Sequence, residues 1–187
     1  MDKFNFKAIE GLFTLFWDKE NGAFFFTPKD AKHLITRTRN AFDNATPAGN
    51  GTMTENLATL YYLTGNDDYR VQAQKTIDVF ARQPSSQYIN MTSILNGFER
   101  LTTAIQITLF GELEAPETTA MKAAAHSTGY PDLILSLIPP GRKLPPKHPA
   151  VGKERMDGMV TAYVCVGTTC SPPVTTPEGL KSTVIKT

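Results

Sequence analysis

"TMTENLATLYYLTGNDDYRVQAQKTIDVFA", residues 52–81, carries two apolar stripes of helical period on either side of one short break. Met53, Leu57, Leu60 and Tyr61 fall on one helix face. Gly65 suits the left-handed conformation that ends helices, and Asn66 or Asp67 can cap the next one. Tyr69, Ala73, Ile77 and Phe80 form the second stripe. A connection this short turns one helix back along the other, so the stretch predicts an antiparallel α-hairpin.

The same grammar extends both ways. Upstream, Ile9, Leu12, Phe13 and Phe16 follow the i, i+3, i+4, i+7 spacing. Downstream, Pro84 breaks the helix, Ser85 or Ser86 restarts one, and Met91, Ile94, Leu95 and Phe98 make a fourth stripe. Residues 1–101 therefore read as helical hairpins. Asn21-Gly22 opens a different passage, in which "AFFFT" and "LITRT" predict a small β-hairpin insertion near 22–38.

After Leu101 the pattern changes. "AIQITLFG" (104–111) and "DLILSLIPPG" (132–141) are β-rich, and "PETTAMKAAAHSTG" (116–129) between them is a helix ending at a glycine. Strand, helix, strand at this spacing predicts a βαβ crossover with a parallel pair. Residues 142–158 are Pro-rich and polar, a loop or tether. A third strand, "TAYVCVG", then leads to a short final helix. Residues 102–187 thus form a small α/β subdomain after a mainly α first part.

Composition narrows the function classes. The chain has 187 residues, 41% of them hydrophobic and 20% charged, enough for a core and against global disorder. A formal net charge of +1 leaves no electrostatic footprint for nucleic acid or an anionic membrane. No apolar run approaches the roughly 20 residues that span a bilayer. The opening "MDKFNFKAIEGLF" contains acids and no small-residue cleavage site, so no secretory signal is expected. Two cysteines make no disulfide framework, which favours a reducing, cytoplasmic setting. No phosphate-binding loop, nucleophile elbow or HExxH occurs, and no cofactor or metal is expected.

The apolar stripes carry a further implication. The first and third helices hold apolar residues beyond one face, at Phe4, Leu15 and Val79, and stacked hairpins bury such faces against neighbours. The chain is therefore expected to associate with itself or with a portion of protein preceding it.

Candidate site residues cluster around "RTRNAFDNATPAGNGTMTEN", residues 37–56. Thr52-x-x-Glu55 is a capping box that would start a helix. Arg37, Arg39, Asp43, Asn44 and Asn50 stay open between two readings: a loop bonding its own backbone, or a polar rim that binds a ligand. Trp17 with Phe24, Phe25 and Phe26 reads first as core packing, with stacking on a sugar ring as the other reading. Cys165 and Cys170 lie four residues apart across Gly167, which is not thioredoxin spacing. They read first as small, partly buried thiols, with a reversible disulfide across a hairpin as the other reading. His33, His126 and His148 form no zinc-ligand pattern.

Four stretches taken in order, "LFTLFWDKENGAFFFTPKD", "AFDNATPAGN", "LYYLTGNDDYRVQAQKTI" and "AYVCVGTTCSPPVTTPEGL", resemble the C-terminal part of thioredoxin-domain-containing proteins related to spermatogenesis-associated protein 20. Those longer chains join a thioredoxin-like domain to an (α/α)6 toroid similar to N-acylglucosamine 2-epimerases and six-hairpin glycosidases. The resemblance implies that the helices are hairpins from an incomplete toroid, followed by an α/β insertion and a closing cysteine strand. The family's D-x-A-x-P-S-G-N-S pattern falls on Asp43, Ala45, Pro47, Ala48, Gly49, Asn50 and Gly51, with both serines replaced, by Ala48 and Gly51. Two functions are expected on this basis. One is a module without independent catalysis that works with a missing N-terminal part. The other is a sugar-active, epimerase- or glycosidase-like enzyme with its site at the loop 37–50 end of the toroid.

Overall fold

The computed structural model describes residues 3–32 and 35–186. Helix α1 (Lys3–Leu15) leads through an irregular segment to α2 (Gly49–Thr64), α3 (Asp67–Phe80), a 3-10 turn (Ser85–Asn90) and α4 (Thr92–Thr103). Then come β1 (Ile105–Phe110), α5 (Pro116–His126), β2 (Leu133–Ile138), β3 (Thr161–Val166), β4 (Thr169–Cys170) and α6 (Pro177–Ile185). The protein is mainly α with one small mixed sheet. It divides into two compact units, residues up to 58 with 67–98, and residues 59–66 with 99–187.

In the first unit the core is Ala23, Ala41, Phe80, Met91 and Ile94, with Val79 and Tyr88 packed against it. Met91 and Ile94 belong to the fourth apolar stripe of the sequence, and Phe80 to the stripe on α3. Helices α2 and α4 approach closely because the contacting residues are small. A Cβ on Gly51 would overlap Ser93 Oγ, and one on Gly97 would lie 2.7 Å from Thr54 Cγ2. Ser93 thus occupies the room that a side chain at position 51 would need.

Three sequence expectations in this unit are corrected. Among the described residues, the passage near 22–38 holds no β-hairpin; His33 and Leu34 lie outside the described residues. Its pairing is one isolated antiparallel bridge, Trp17 with Phe24. Further amides bond singly, Phe25 N to Phe16 O and Phe26 N to Thr38 O. Phe24 instead gives its amide to Asn50 Oδ1 at 2.7 Å, and its carbonyl accepts from Asn50 Nδ2 at 2.9 Å. One side-chain amide replaces the partner strand.

The second correction concerns the capping box. Helix α2 starts at Gly49, and the Thr52 amide already donates to Ala48 O. Thr52 lies in the first turn, not before it. The carboxylate at the front of this helix is Asp43, which accepts from the Ala48 amide at 2.7 Å. Third, the restart after Pro84 is a 3-10 turn, and α4 begins only after Met91.

The second unit carries the sheet, ordered β2-β1-β3-β4. Strands β1 and β2 are parallel, from Ile105 opposite Leu133 to Phe110 opposite Ile138, with α5 between them in sequence. This is the crossover that the sequence predicts. Strand β3 runs antiparallel to β1, and β4 antiparallel to β3. Alternate residues Ile105, Ile107 and Leu109 meet Met121, Ala124 and Ala125 of α5 and Leu180 and Val184 of α6. Phe110 points the other way, into a cluster with Ile138 and Ala150. Residues 142–158 are a loop, yet not a free tether, since Ala150 is 1% exposed and the Tyr163 hydroxyl donates to Glu154 O. Pro177 opens α6 and Thr176 caps it by accepting from the Gly179 amide.

Candidate functional site

The first unit contains a groove of about 350 Å³ between the aromatic run and the start of α2. Phe24, Phe25, Phe26 and Phe42 line it, with the side chains of Asn40 and Asn44 among the polar groups and Gly49 and Asn50 forming one wall. A groove with aromatic surface and a few amides is the composition that binds a small polar ligand carrying an apolar face, a sugar ring included. It is also open to solvent on the Phe26 side, where that ring is 78% exposed.

The residues singled out by sequence distribute unevenly around it. Phe24, Asn44 and Asn50 line the groove. Phe24 is also packed from behind, with its ring centroid 4.9 Å from Trp17 and 5.3 Å from Phe13. Trp17 belongs to that three-ring cluster, edge-on to both partners, and does not line the groove.

Arg37 acts at the end of α1. Its Nη2 donates to Leu15 O at 3.0 Å and to Thr27 O at 2.7 Å, and its guanidinium lies 4.0 Å over the Phe25 ring. A cation at a helix C-terminus meets the negative end of the macrodipole, and stacking on Phe25 adds attraction. Arg39 donates to Gly22 O and pairs with Asp18 at 3.0 Å. It lines a separate cavity of about 450 Å³ with Lys75, Arg82, Glu20 and Asp78.

Among the described residues, Asp18 and Asp43 are carboxylates held low. Burial pushes Asp18 upward, but bonds from Asn21 and Glu20 and the Arg39 charge together bring it below its usual value. Burial likewise opposes ionisation of Asp43, and four donated bonds from Ser93, Ala48 and Thr92 overcome it, lowering the carboxyl to about 2. A carboxylate this acidic is a poor general base at neutral pH. Both anions are stabilised by structural donors, which accounts for them without chemistry.

Asn50 is 4% exposed and makes three bonds, to the Phe24 amide and to the Phe24 and Asn40 carbonyls. Its side chain ties the aromatic run to α2. The sequence had marked Phe26 within the aromatic run but not Phe42, a single aromatic between Ala41 and Asp43 that belongs to no periodic stripe. Among the described residues no group of three His, Cys, Asp or Glu is placed to hold a metal ion. No helix among them is long and apolar enough to cross a membrane.

In the second unit, Cys165 and Cys170 are joined in a disulfide. This corrects the reading as separate thiols and removes the premise from which a reducing compartment was inferred. The cause is register: β3 and β4 place Cys165 directly opposite Cys170. Loop closure across a stretch this short contributes roughly 2 kcal/mol through the unfolded chain.

No family model matches the chain. It is homologous to spermatogenesis-associated protein 20. Identity to the human protein is 27% over 172 residues, covering 89% of this chain and 22% of that protein. The rat and mouse proteins of the same name are 26% and 25% identical over the same length. The chain therefore spans 22% of the length of the curated relatives it matches. The resemblance read from the four ordered stretches agrees with this homology.

Proposed function

We propose that this chain, homologous over most of its length to one part of much longer proteins, is a docking module without independent catalysis. It works by packing against helices from the rest of such a protein. In this reading the helices of the first unit are hairpins of an (α/α)6 toroid, and the partner supplies the neighbouring hairpins. The observation that carries the reading is an apolar groove of about 180 Å³ lined by Ile77, Phe80, Tyr88, Met91, Ile94 and Leu95. Its rim is exposed, with Leu95 at 42% and nearby Ile89 at 77%. Helix faces of this kind bury against further helices of the same design. The relatives are long enough to supply them.

The test uses Leu95→Lys. The wild-type chain is expected to bind an apolar dye such as anilinonaphthalene sulfonate and to associate with rising concentration in light scattering. Leu95→Lys should reduce both, while its unfolding free energy stays within the roughly 0.5 kcal/mol typical of exposed substitutions. A wild-type chain that stays monomeric and binds no dye would overturn the reading.

A second reading has its own support, the aromatic and amide lining of the groove beside α2. A mono- or disaccharide would stack on Phe25 or Phe26 and bond Asn40 and Asn44. Calorimetric titration with a panel of sugars should give heat with at least one, lost in Asn44→Ala. No heat from any member of the panel ends this reading.

A further inference from the structure

The Cys165–Cys170 disulfide is chemically asymmetric, and that asymmetry belongs to the second unit alone. Cys165 sits in β3 and is 5% exposed, so a reagent cannot reach its sulfur from outside. Cys170, on the two-residue strand β4, is exposed. Against the buried sulfur stands a cation, with Lys153 Nζ 3.5 Å from Cys165 Sγ. Lys153 is held there by donating to Pro149 O at 3.0 Å, and the Tyr163 ring lies 5.7 Å from its ammonium. His148 stands close enough to feel the charges of Arg142 and Lys153, and burial together with those two cations holds its imidazole below the ordinary value. Burial pushes the Lys153 amine below its ordinary value, the mark of an ammonium short of water and of a counter-charge.

These positions assign a role to each group, and we propose that the pair is a thiol-exchange site for a small-molecule thiol of the glutathione class. The incoming thiolate attacks Cys170 Sγ, the only sulfur open to approach. The S–S bond breaks, a mixed disulfide forms at Cys170, and Cys165 leaves as a thiolate. Its negative charge develops beside the Lys153 ammonium, which lowers the leaving thiol's pKa and speeds its departure. A second thiolate then attacks the small-molecule sulfur of the mixed disulfide, releasing the oxidised small molecule and the Cys170 thiolate. Two electrons pass from two thiols to the protein disulfide, and protons from water complete both cysteines. In reverse, the Cys165 thiolate attacks the mixed disulfide and restores the cross-strand bond.

The energetic logic runs through Lys153. In the disulfide form its half-buried charge faces a neutral sulfur. In the reduced form the same charge faces a thiolate, and the ion pair favours reduction. The site is therefore tuned to accept electrons, independently of how the first unit docks.

The experiment equilibrates the air-oxidised full chain with reduced and oxidised glutathione, quenches in acid, and maps the products by peptide mass. Glutathione is expected on Cys170 and not on Cys165. In stopped reductions with dithiothreitol, Lys153→Met should react severalfold more slowly than wild type, because the leaving thiolate loses the cation beside it. Lys153→Arg should restore most of the rate, and the wild-type disulfide should be the more easily reduced in the glutathione equilibrium. Glutathione mapped to Cys165, free thiols in the air-oxidised chain, or equal rates for wild type and Lys153→Met would each overturn the proposal. The mapping needs no variant, so a poorly folded Lys153→Met leaves a decisive arm intact.

Discussion

Asp43→Ala is expected to lower the melting temperature by roughly 6–12 °C, the equivalent of about 3 kcal/mol in a chain of this size. The carboxylate joins two helix starts that are distant in sequence. Oδ1 accepts from the Ala48 amide at the head of α2 and from the Ser93 hydroxyl. Oδ2 accepts from the Ser93 amide at 2.8 Å and the Thr92 hydroxyl at 2.9 Å, both in the first turn of α4. Losing one cap costs about 1 kcal/mol, and here two first turns lose their acceptor together. The negative charge also complements the positive end of each helix. Asp43→Asn keeps an acceptor and should retain part of the stability.

The acid limb of the stability curve checks the same group. Asp43 is held at about 2 against a usual 3.8, so its folded-state value is depressed. A depressed carboxyl contributes stability that is present above pH 3.8 and is lost as pH falls toward about 2. At most about 2 kcal/mol is at stake, since solvent reaches the half-buried group. Asp18, also lowered, adds in the same direction. Denaturant melts between neutral and acid pH should show wild type losing more stability than Asp43→Ala. Equal slopes would remove Asp43 from this role.

Asn50→Asp is expected to cost at least about 3 kcal/mol, more than its near-identical shape suggests. The side chain is enclosed, and its Nδ2 donates to the carbonyls of Phe24 and Asn40 at 2.9 and 2.8 Å. A carboxylate would turn both contacts into oxygen facing oxygen, with a buried charge added. Asn50→Ala should cost somewhat less, because it leaves three backbone groups unpaired without adding charge. Circular dichroism melts with hydrogen exchange at Phe24 and Phe25 would register both. An Asn50→Asp chain as stable as wild type, with protected amides there, would contradict the arrangement. If either variant also abolished sugar binding, the groove would have lost its wall, not a catalytic group.

The helices of the first unit and the βαβ order of the second could be read directly from residue spacing. Period 3.6 in Met53–Tyr61 and Tyr69–Phe80, and apolar runs about a helix in 104–141, are local properties that survive in any context. Gly65 closing α2 at φ 69° is likewise a single-residue preference. The polar residues of 37–50 were visible as a group with something to bind. What they bind was not.

Only the tertiary structure decided that. Asp43 meets Ser93 across 50 residues, and Asn50 meets Phe24 across 26, so neither pairing has a sequence spacing to betray it. Thr52-x-x-Glu55 had the pattern of a cap, but α2 starts at Gly49, and Asp43, which also holds Ser93, takes that place. The aromatic run had the composition of a strand, but one asparagine amide took the bonds a strand would have offered. Cys165 and Cys170 became a disulfide because the hairpin register set them face to face. Local periodicity fixes which segments coil or extend; which buried polar atoms meet depends on closing long loops, and that information is spread over the whole chain.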